Sequence, residues 1–144
     1  MPLHLQKLSV GSESFEDLAE WLEGEVGLRR KRGEEEVYIH TTRMMPSRGE
    51  EIVAGGSMYW IIRGVMCCRQ RVLDLRPVTG RDGISRCDIV LEPELHRTEP
   101  RPHRAFQGWR YLAPNDAPND LRDMTEGTGL PAHLVLELKE LGLL

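Results

Sequence analysis

Two stretches of the chain hold residues whose types and spacing point to chemistry. In "VMCCRQRVLDL", Arg69 and Arg71 stand two apart within a run of β-forming residues. Alternation along a regular strand puts Val65, Cys67, Arg69, Arg71, Leu73 and Leu75 on one face, so a doubly cationic band interrupts an apolar one. A buried, unpaired guanidinium is costly, and these arginines therefore require carboxylates, a phosphate or water. A β-bulge near Gln70 is the alternative, because one inserted residue turns both side chains outward.

The second stretch, "RAFQGWRYL", places three of the chain's eight aromatic residues between positions 104 and 112. On a regular strand Gln107, Trp109 and Tyr111 share one face, while Phe106, Arg110 and Leu112 share the other. Turned outward, the first set stacks a base at about 1–3 kcal/mol per contact, with the amide reading a base edge. Turned inward, Trp109 and Tyr111 are core residues that each need one hydrogen-bond partner. The sequence leaves both orientations open. Arg69, Arg71, Gln107, Trp109, Arg110 and Tyr111 together make a candidate site for RNA or a nucleotide-like anion.

Other chemistries find weaker support. Adjacent Cys67 and Cys68 point to opposite faces of a strand, and Cys87 stands apart, so no zinc-type spacing exists; the five histidines are scattered. No metal or cofactor is expected. The chain contains no G-x-S-x-G, H-E-x-x-H or G-x-G-x-x-G pattern. Asp74, Asp82, Asp88 and His40 are available for acid–base work without any motif marking them. Two further readings follow. One is an enzyme that clamps a small anionic substrate with the same arginines and uses His40 or an aspartate as acid or base. The other is a protein-interaction module docking through its acidic ends or its C-terminal helix.

Charge is distributed unevenly. The chain carries −4 overall, but residues 1–59, 60–110 and 111–144 carry −4, +4 and −4 respectively. The basic central band contains arginine and no lysine, and guanidinium matches phosphate or carboxylate in a two-pronged fashion. The acidic total argues against a broadly basic nucleic-acid binder.

These residues have to be positioned by a single domain, expected to span 1–144, which at this length buries roughly 70% of its unfolded surface. "LHLQKLSV" (3–10) alternates as a short strand. "SFEDLAEWLEGEVGLRRKRG" (14–33) opens with Ser14 and Asp17 in an approximate capping box, then repeats Phe15, Leu18, Leu22 and Val26 at helical spacing. "EVYIHTTR" (36–43) predicts a strand. Pro46 and Ser47 start a short helix that Gly55 and Gly56 stop. "SMYWIIRG" (57–64), "VMCCRQRVLDLRPV" (65–78) and "ISRCDIVLEPEL" (84–95) predict an antiparallel meander, with "TGRDG" (79–83) as a turn. "EPRPH" (99–103) predicts an extended loop, because each proline removes a ladder donor. "AFQGWRYL" predicts the last strand, "APNDAPND" turns, and "PAHLVLELKELG" (131–142) a C-terminal helix. The fold class is α+β, a curved and mainly antiparallel sheet with helices on one side or across an end.

The segments "TRMMPSRGEEIVAGGSMYWIIRG", "RQRVLDLRPVTGRDGISRCDIVLEPEL" and "FQGWRYLAPNDAPNDL" resemble the bacterial domain-of-unknown-function family 1489 over nearly the whole chain. That resemblance implies a stand-alone cytoplasmic bacterial protein and carries no activity with it. In layout, "EEIVAGGSMYWIIRG", a short helix leading through glycine into strands, is similar to the PUA and ASCH-like RNA-associated barrels. The similarity implies a pseudo-barrel. The longest apolar run falls well short of the roughly 18 residues a membrane span needs. The N-terminus lacks signal-peptide features and the three cysteines form no disulfide framework, so a cytoplasmic location without a membrane partner is expected.

Overall fold

A computed structural model describes residues 2–121 of the chain. The elements run β1 (His4–Leu8), α1 (Phe15–Lys31), β2 (Tyr38–Thr42), α2 (Gly49–Val53), β3 (Ser57–Ile62), β4 (Val65–Thr79), β5 (Ser85–Leu91), β6 (His96–Pro102) and β7 (Trp109–Leu112). A 3₁₀ turn at Pro114–Asp116 follows. The C-terminal helix expected at 131–142 lies outside the described residues.

α1 forms where its sequence signals place it. Ser14 is extended, and its hydroxyl accepts the Asp17 N–H at 3.1 Å; Glu16 and Asp17 occupy the first turn and Arg29, Arg30 and Lys31 the last, which suits the helix dipole at both ends. Leu18, Leu22 and Val26 are its buried stripe, each contributing about 1.5–3 kcal/mol through the apolar surface it removes from water. α2 is a single turn that ends at Val53 with Ala54 as its cap, and Gly55 follows, whose φ of +130° suits glycine. Gly56 follows so tightly under β1 that a Cβ would sit 2.1 Å from the Leu3 carbonyl oxygen.

The strands hydrogen-bond in the order β2-β5-β4-β3-β1-β7, with β6 on the other flank of β4. Every pairing is antiparallel except β1 with β3, which α1, β2 and α2 separate along the chain. β4 joins two halves of the sheet: Val65–Arg71 pair with β3 and Val72–Thr79 with β5. Two bulges bend it. Cys67 is the extra residue against Trp60/Ile61, and Leu73 the extra residue against Val90/Leu91. The expected insertion near Gln70 thus sits three residues earlier. It leaves Gln70 fully buried and Arg71 exposed.

The bends curl the sheet so that its ends approach. His40 on β2 lies edge-on to Trp60 on β3, with 5.6 Å between centroids, although two strands intervene in the ladder. The inner face carries the main core, in which Leu5, Leu18, Leu22, Met58, Trp60 and Leu91 meet. The outer face carries a second cluster of Tyr59, Ile61, Met66, Phe106 and Leu112. All six residues of β3 are buried because both faces of that strand are covered.

Two elements differ from the sequence-based expectation. "EPRPH" belongs to strand β6 rather than to a loop. β6 ladders to β4, with an isolated bridge from Thr98 to Asp120 on its other side, and its pairing with β4 is bulged: three residues between Arg97 and Arg101 stand against one between Cys68 and Met66, so Pro100 needs no donor. β7 is shorter than "AFQGWRYL": Gly108 has φ +69°, and the strand begins only at Trp109. Gln107 therefore stands outside the strand and does not extend the Trp109/Tyr111 face.

Candidate functional site

The two candidate stretches meet the sheet on different faces. Arg69 and Arg71 pair in register with Tyr59 and Ser57, and Arg110 with Gln6, which puts all three arginines on the outer face. Trp109 and Tyr111 pair with Lys7 and Leu5 and point to the inner face. The six residues named from the sequence do not line one groove.

Each of them has a definite environment. Arg69 grips Asp120 with two hydrogen bonds, Nε to Oδ1 at 2.9 Å and Nη2 to Oδ2 at 2.8 Å, and its Nη1 donates to the Ser57 hydroxyl at 3.0 Å. The carboxylate raises the Arg69 pKa, and the guanidinium lowers that of Asp120. This is a satisfied, partly buried ion pair. Arg71 and Gln107 are exposed, and Arg110 lies flat over the Phe106 ring, 4.5 Å from its centroid. Trp109 and Tyr111 meet edge-to-face at 5.0 Å. The Trp109 indole N–H donates to the Met44 carbonyl at 2.8 Å, and the Tyr111 hydroxyl accepts the Arg48 N–H at 3.1 Å. Both aromatic residues thereby tie β7 to the segment that follows β2, across the gap between the two edges of the ladder.

The cavity with the strongest chemical character lies elsewhere, at the mouth of the curl. It encloses about 670 Å³ between the end of β1, the β1–α1 loop, the start of α1, β2 and β3. Trp60, Tyr38, His40 and Trp21 form aromatic walls, with Tyr38 and Trp21 edge-to-face at 5.1 Å. Lys7 enters from the β1 side, and Asp17 and Glu20 stand on the α1 side.

The electrostatics of this mouth follow from its partial burial. Lys7 follows Leu3 and Leu5 on the inward face of β1, and burial lowers its pKa. No carboxylate among the described residues lies within ion-pair distance of it. His40 is pushed down to about 4, chiefly by burial and then by the Lys7 charge, so it is neutral at pH 7. Tyr38 is pushed up to about 12, chiefly by burial and then by Glu25, and keeps its proton. Asp17 has one oxygen, Oδ2, accepting the Glu13 N–H at 3.2 Å, which leaves Oδ1 available. The site thus offers one unpaired cation, a neutral imidazole, a phenol donor and carboxylate acceptors around flat apolar walls.

The sequence reading reached only His40 of this set, as an unmarked acid–base residue. The signal that could have found Lys7 is its place in the alternation Leu3, Leu5, Lys7: a charge in a position that otherwise faces the core. Thiol chemistry has no support here. Cys67, Cys68 and Cys87 are all buried, the Cys67 hydrogen bond and burial raise the Cys68 pKa, and burial pushes Cys87 up to about 11. Among the described residues no cluster of metal-ligating side chains occurs, and no helix is long and apolar enough to cross a membrane.

The family described as Protein of unknown function (DUF1489) matches residues 5–144. The chain belongs to that family. The matched region takes in every element that builds the mouth, from β1 onward. No curated protein and no solved structure matches the chain, so the chemistry of the mouth has to be read from its own residues.

Proposed function

We propose that this DUF1489 protein binds a nucleotide-like anion, a flat heterocycle carrying an acidic group, in the mouth of the curled sheet. The observation that carries the reading is Lys7, a partly buried ammonium with no carboxylate partner among the described residues, in an aromatic-walled cavity. A cavity of about 670 Å³ falls within the roughly 300–1,000 Å³ of small-molecule sites. Lys7 supplies the countercharge for the acidic group. Trp60 and Trp21 supply flat apolar surface, and Asp17 and Glu20 accept from the N–H edge of a heterocycle on the opposite rim. A purely anionic ligand fits less well, because those two carboxylates would repel it.

Binding fits better than acid–base catalysis. An imidazole with a pKa of about 4 is protonated in only about one molecule in a thousand at pH 7, so His40 is no proton donor there. The same low pKa makes it a weak base. Neutral, it serves as a hydrogen-bonding wall beside the Tyr38 hydroxyl.

The test is calorimetric titration with a panel of nucleoside monophosphates, on the wild type and on Lys7→Met. A charge-assisted hydrogen bond contributes about 1.5–3 kcal/mol, so Lys7→Met should weaken binding roughly tenfold or more. Equal affinity in the two proteins, or no binding to either, overturns the reading.

A further inference from the structure

Seven of the fifteen arginines among the described residues are neutralised: Arg29, Arg30, Arg48, Arg69, Arg76, Arg86 and Arg97 each hold a carboxylate. Arg63, Arg101, Arg104 and Arg110 do not, and all four are exposed. Arg32, Arg43, Arg71 and Arg81 also lack such a partner, but they are dispersed over other parts of the chain. The first four lie on the β3–β4 turn, the end of β6, the loop after it and β7, and one of them, Arg110, packs on the buried ring of Phe106.

Arg63 and Gly64 form the two-residue turn between β3 and β4, with φ of +49° and +78°. Asparagine and glycine are the usual occupants of such a turn, so an arginine here accepts a backbone penalty to project its side chain from the tip. The His103 N–H donates to the Gly64 carbonyl at 2.9 Å, which fixes Arg104 next to the turn. His103 and Arg110 both pack on Phe106, the imidazole edge-on at 5.3 Å and the guanidinium stacked at 4.5 Å. Arg101 donates to the backbone carbonyl of Asp116, a neutral acceptor, and holds no carboxylate among the described residues.

Strand register places this cluster at the same end of the sheet as the mouth. Leu8 pairs with Ile61, Ile62 with Val65, Val65 with Pro102, and Lys7 with Trp109. The Arg63–Gly64 turn, the 103–108 loop and the Ser9–Ser12 side of the mouth therefore lie at one end. One guanidinium packed on an aromatic ring and three more without a carboxylate partner among the described residues, at the same end of the sheet as a pocket for a flat heterocycle, suit a chain of phosphates with an unpaired base.

We propose that Arg63, Arg101, Arg104 and Arg110 track the backbone of a single-stranded nucleic acid whose unpaired base occupies the mouth. This inference rests on the pocket reading above and names its ligand as one unit of a polymer. A duplex fits less well, since a paired base is held in the helical stack and has to be flipped out before it can enter a pocket.

The experiment compares a fluorescein-labelled mixed-sequence RNA 12-mer, followed by anisotropy, with uridine and adenosine monophosphates followed by calorimetry. Both are measured at about 50 and 200 mM salt, on the wild type and on Arg63→Asn/Arg104→Gln. Asparagine tolerates the left-handed backbone at position 63, and neither residue lines the mouth. The 12-mer should bind at least tenfold tighter than either monophosphate. In the double variant it should weaken at least tenfold, with a salt slope smaller by about two, while monophosphate affinity stays unchanged. Monophosphate binding with no tighter polymer binding overturns this inference and leaves the pocket reading intact. Binding of neither overturns both. Undiminished polymer affinity in the variant, or equal competition by a duplex, overturns the assignment to these arginines and to a single strand.

Discussion

The Trp109 indole N–H meets the Met44 carbonyl at 2.8 Å, and this bond bridges the two edges of the sheet. β7 and β2 share no ladder, so the curl that shapes the mouth is held at that seam by side chains. Tyr111 adds the second tie, with its hydroxyl accepting from Arg48 N–H and standing 3.3 Å from the Ser47 hydroxyl. Trp109→Phe keeps an aromatic side chain but removes the bond and part of the packed ring, and should cost at least about 1 kcal/mol in urea denaturation. Tyr111→Phe should speed hydrogen exchange at the Arg48 amide without altering exchange in the β3–β4 ladder. Unchanged exchange at Arg48 would mean that the seam does not depend on this tie.

The Arg69–Asp120 pair has a structural role. Removing the carboxylate leaves a partly buried guanidinium whose remaining hydrogen bond among the described residues is to the Ser57 hydroxyl. Asp120→Ala should therefore destabilise the fold by about 1–3 kcal/mol, measured by chemical denaturation. Arg71→Ala, two residues along β4 and exposed, should cost less than about 0.5 kcal/mol.

Gly56 permits the close passage of α2 beneath β1. A Cβ would stand 2.1 Å from the Leu3 carbonyl oxygen and 2.6 Å from that of Ile52, both backbone atoms that cannot step aside. Gly56→Ala should cost more than about 3 kcal/mol or prevent folding. Gly11→Ala meets nothing within 4 Å but has φ +91°, so its cost should be the smaller backbone strain alone, about 1–2 kcal/mol. Thermal melts of the two variants rank them.

His40 sets a pH dependence. Its folded pKa of about 4 lies below the ordinary value of 6.5, so the unfolded chain binds the proton more readily. The His40 contribution is constant above pH 6.5, falls as pH drops from 6.5 to 4, and is constant again below. The loss is about 2 kcal/mol once partial exposure is allowed for. His40→Gln should lack this component. The stability difference between wild type and variant should therefore change across pH 6.5–4 and be flat above it, while other titrating groups cancel.

Much of the fold is legible in the sequence because its signals are local. Ser14, Asp17 and the Leu18/Leu22/Val26 stripe define α1 without reference to anything distant. The glycines after α2 and the β-branched run after them do the same for β3. β6 is hidden because Pro100 and Pro102 argue against a strand, and only its place beside a single partner strand makes them tolerable. β7 is overextended in the sequence because nothing local announces that Gly108 adopts a positive φ.

The site was harder to read for a different reason. Lys7 and Trp60 meet directly across the β1–β3 ladder, but Tyr38 and His40 on β2 reach them because two bulges in β4 close the curl. Where one extra residue enters a ladder is a property of both strands, and Cys67 and Leu73 carry no mark of it. The arginine and aromatic pattern drew attention to "RQR" and "WRY", whose partners turn out to be Asp120, Met44 and Arg48. Lys7 was visible in principle, as a charge continuing the Leu3–Leu5 face.

The three tryptophans give the most direct test of the mouth as the binding site. Each indole N–H yields a separate resonance in a ¹H–¹⁵N spectrum: Trp21 at the rim, Trp60 on the wall donating to Gln70 Oε1, and Trp109 in the seam. On titration with a nucleoside monophosphate the Trp21 and Trp60 signals should move together and saturate, while Trp109 stays in place. Both shifts should shrink in Lys7→Met. Movement of Trp109 alone, or of none of the three, would contradict the account.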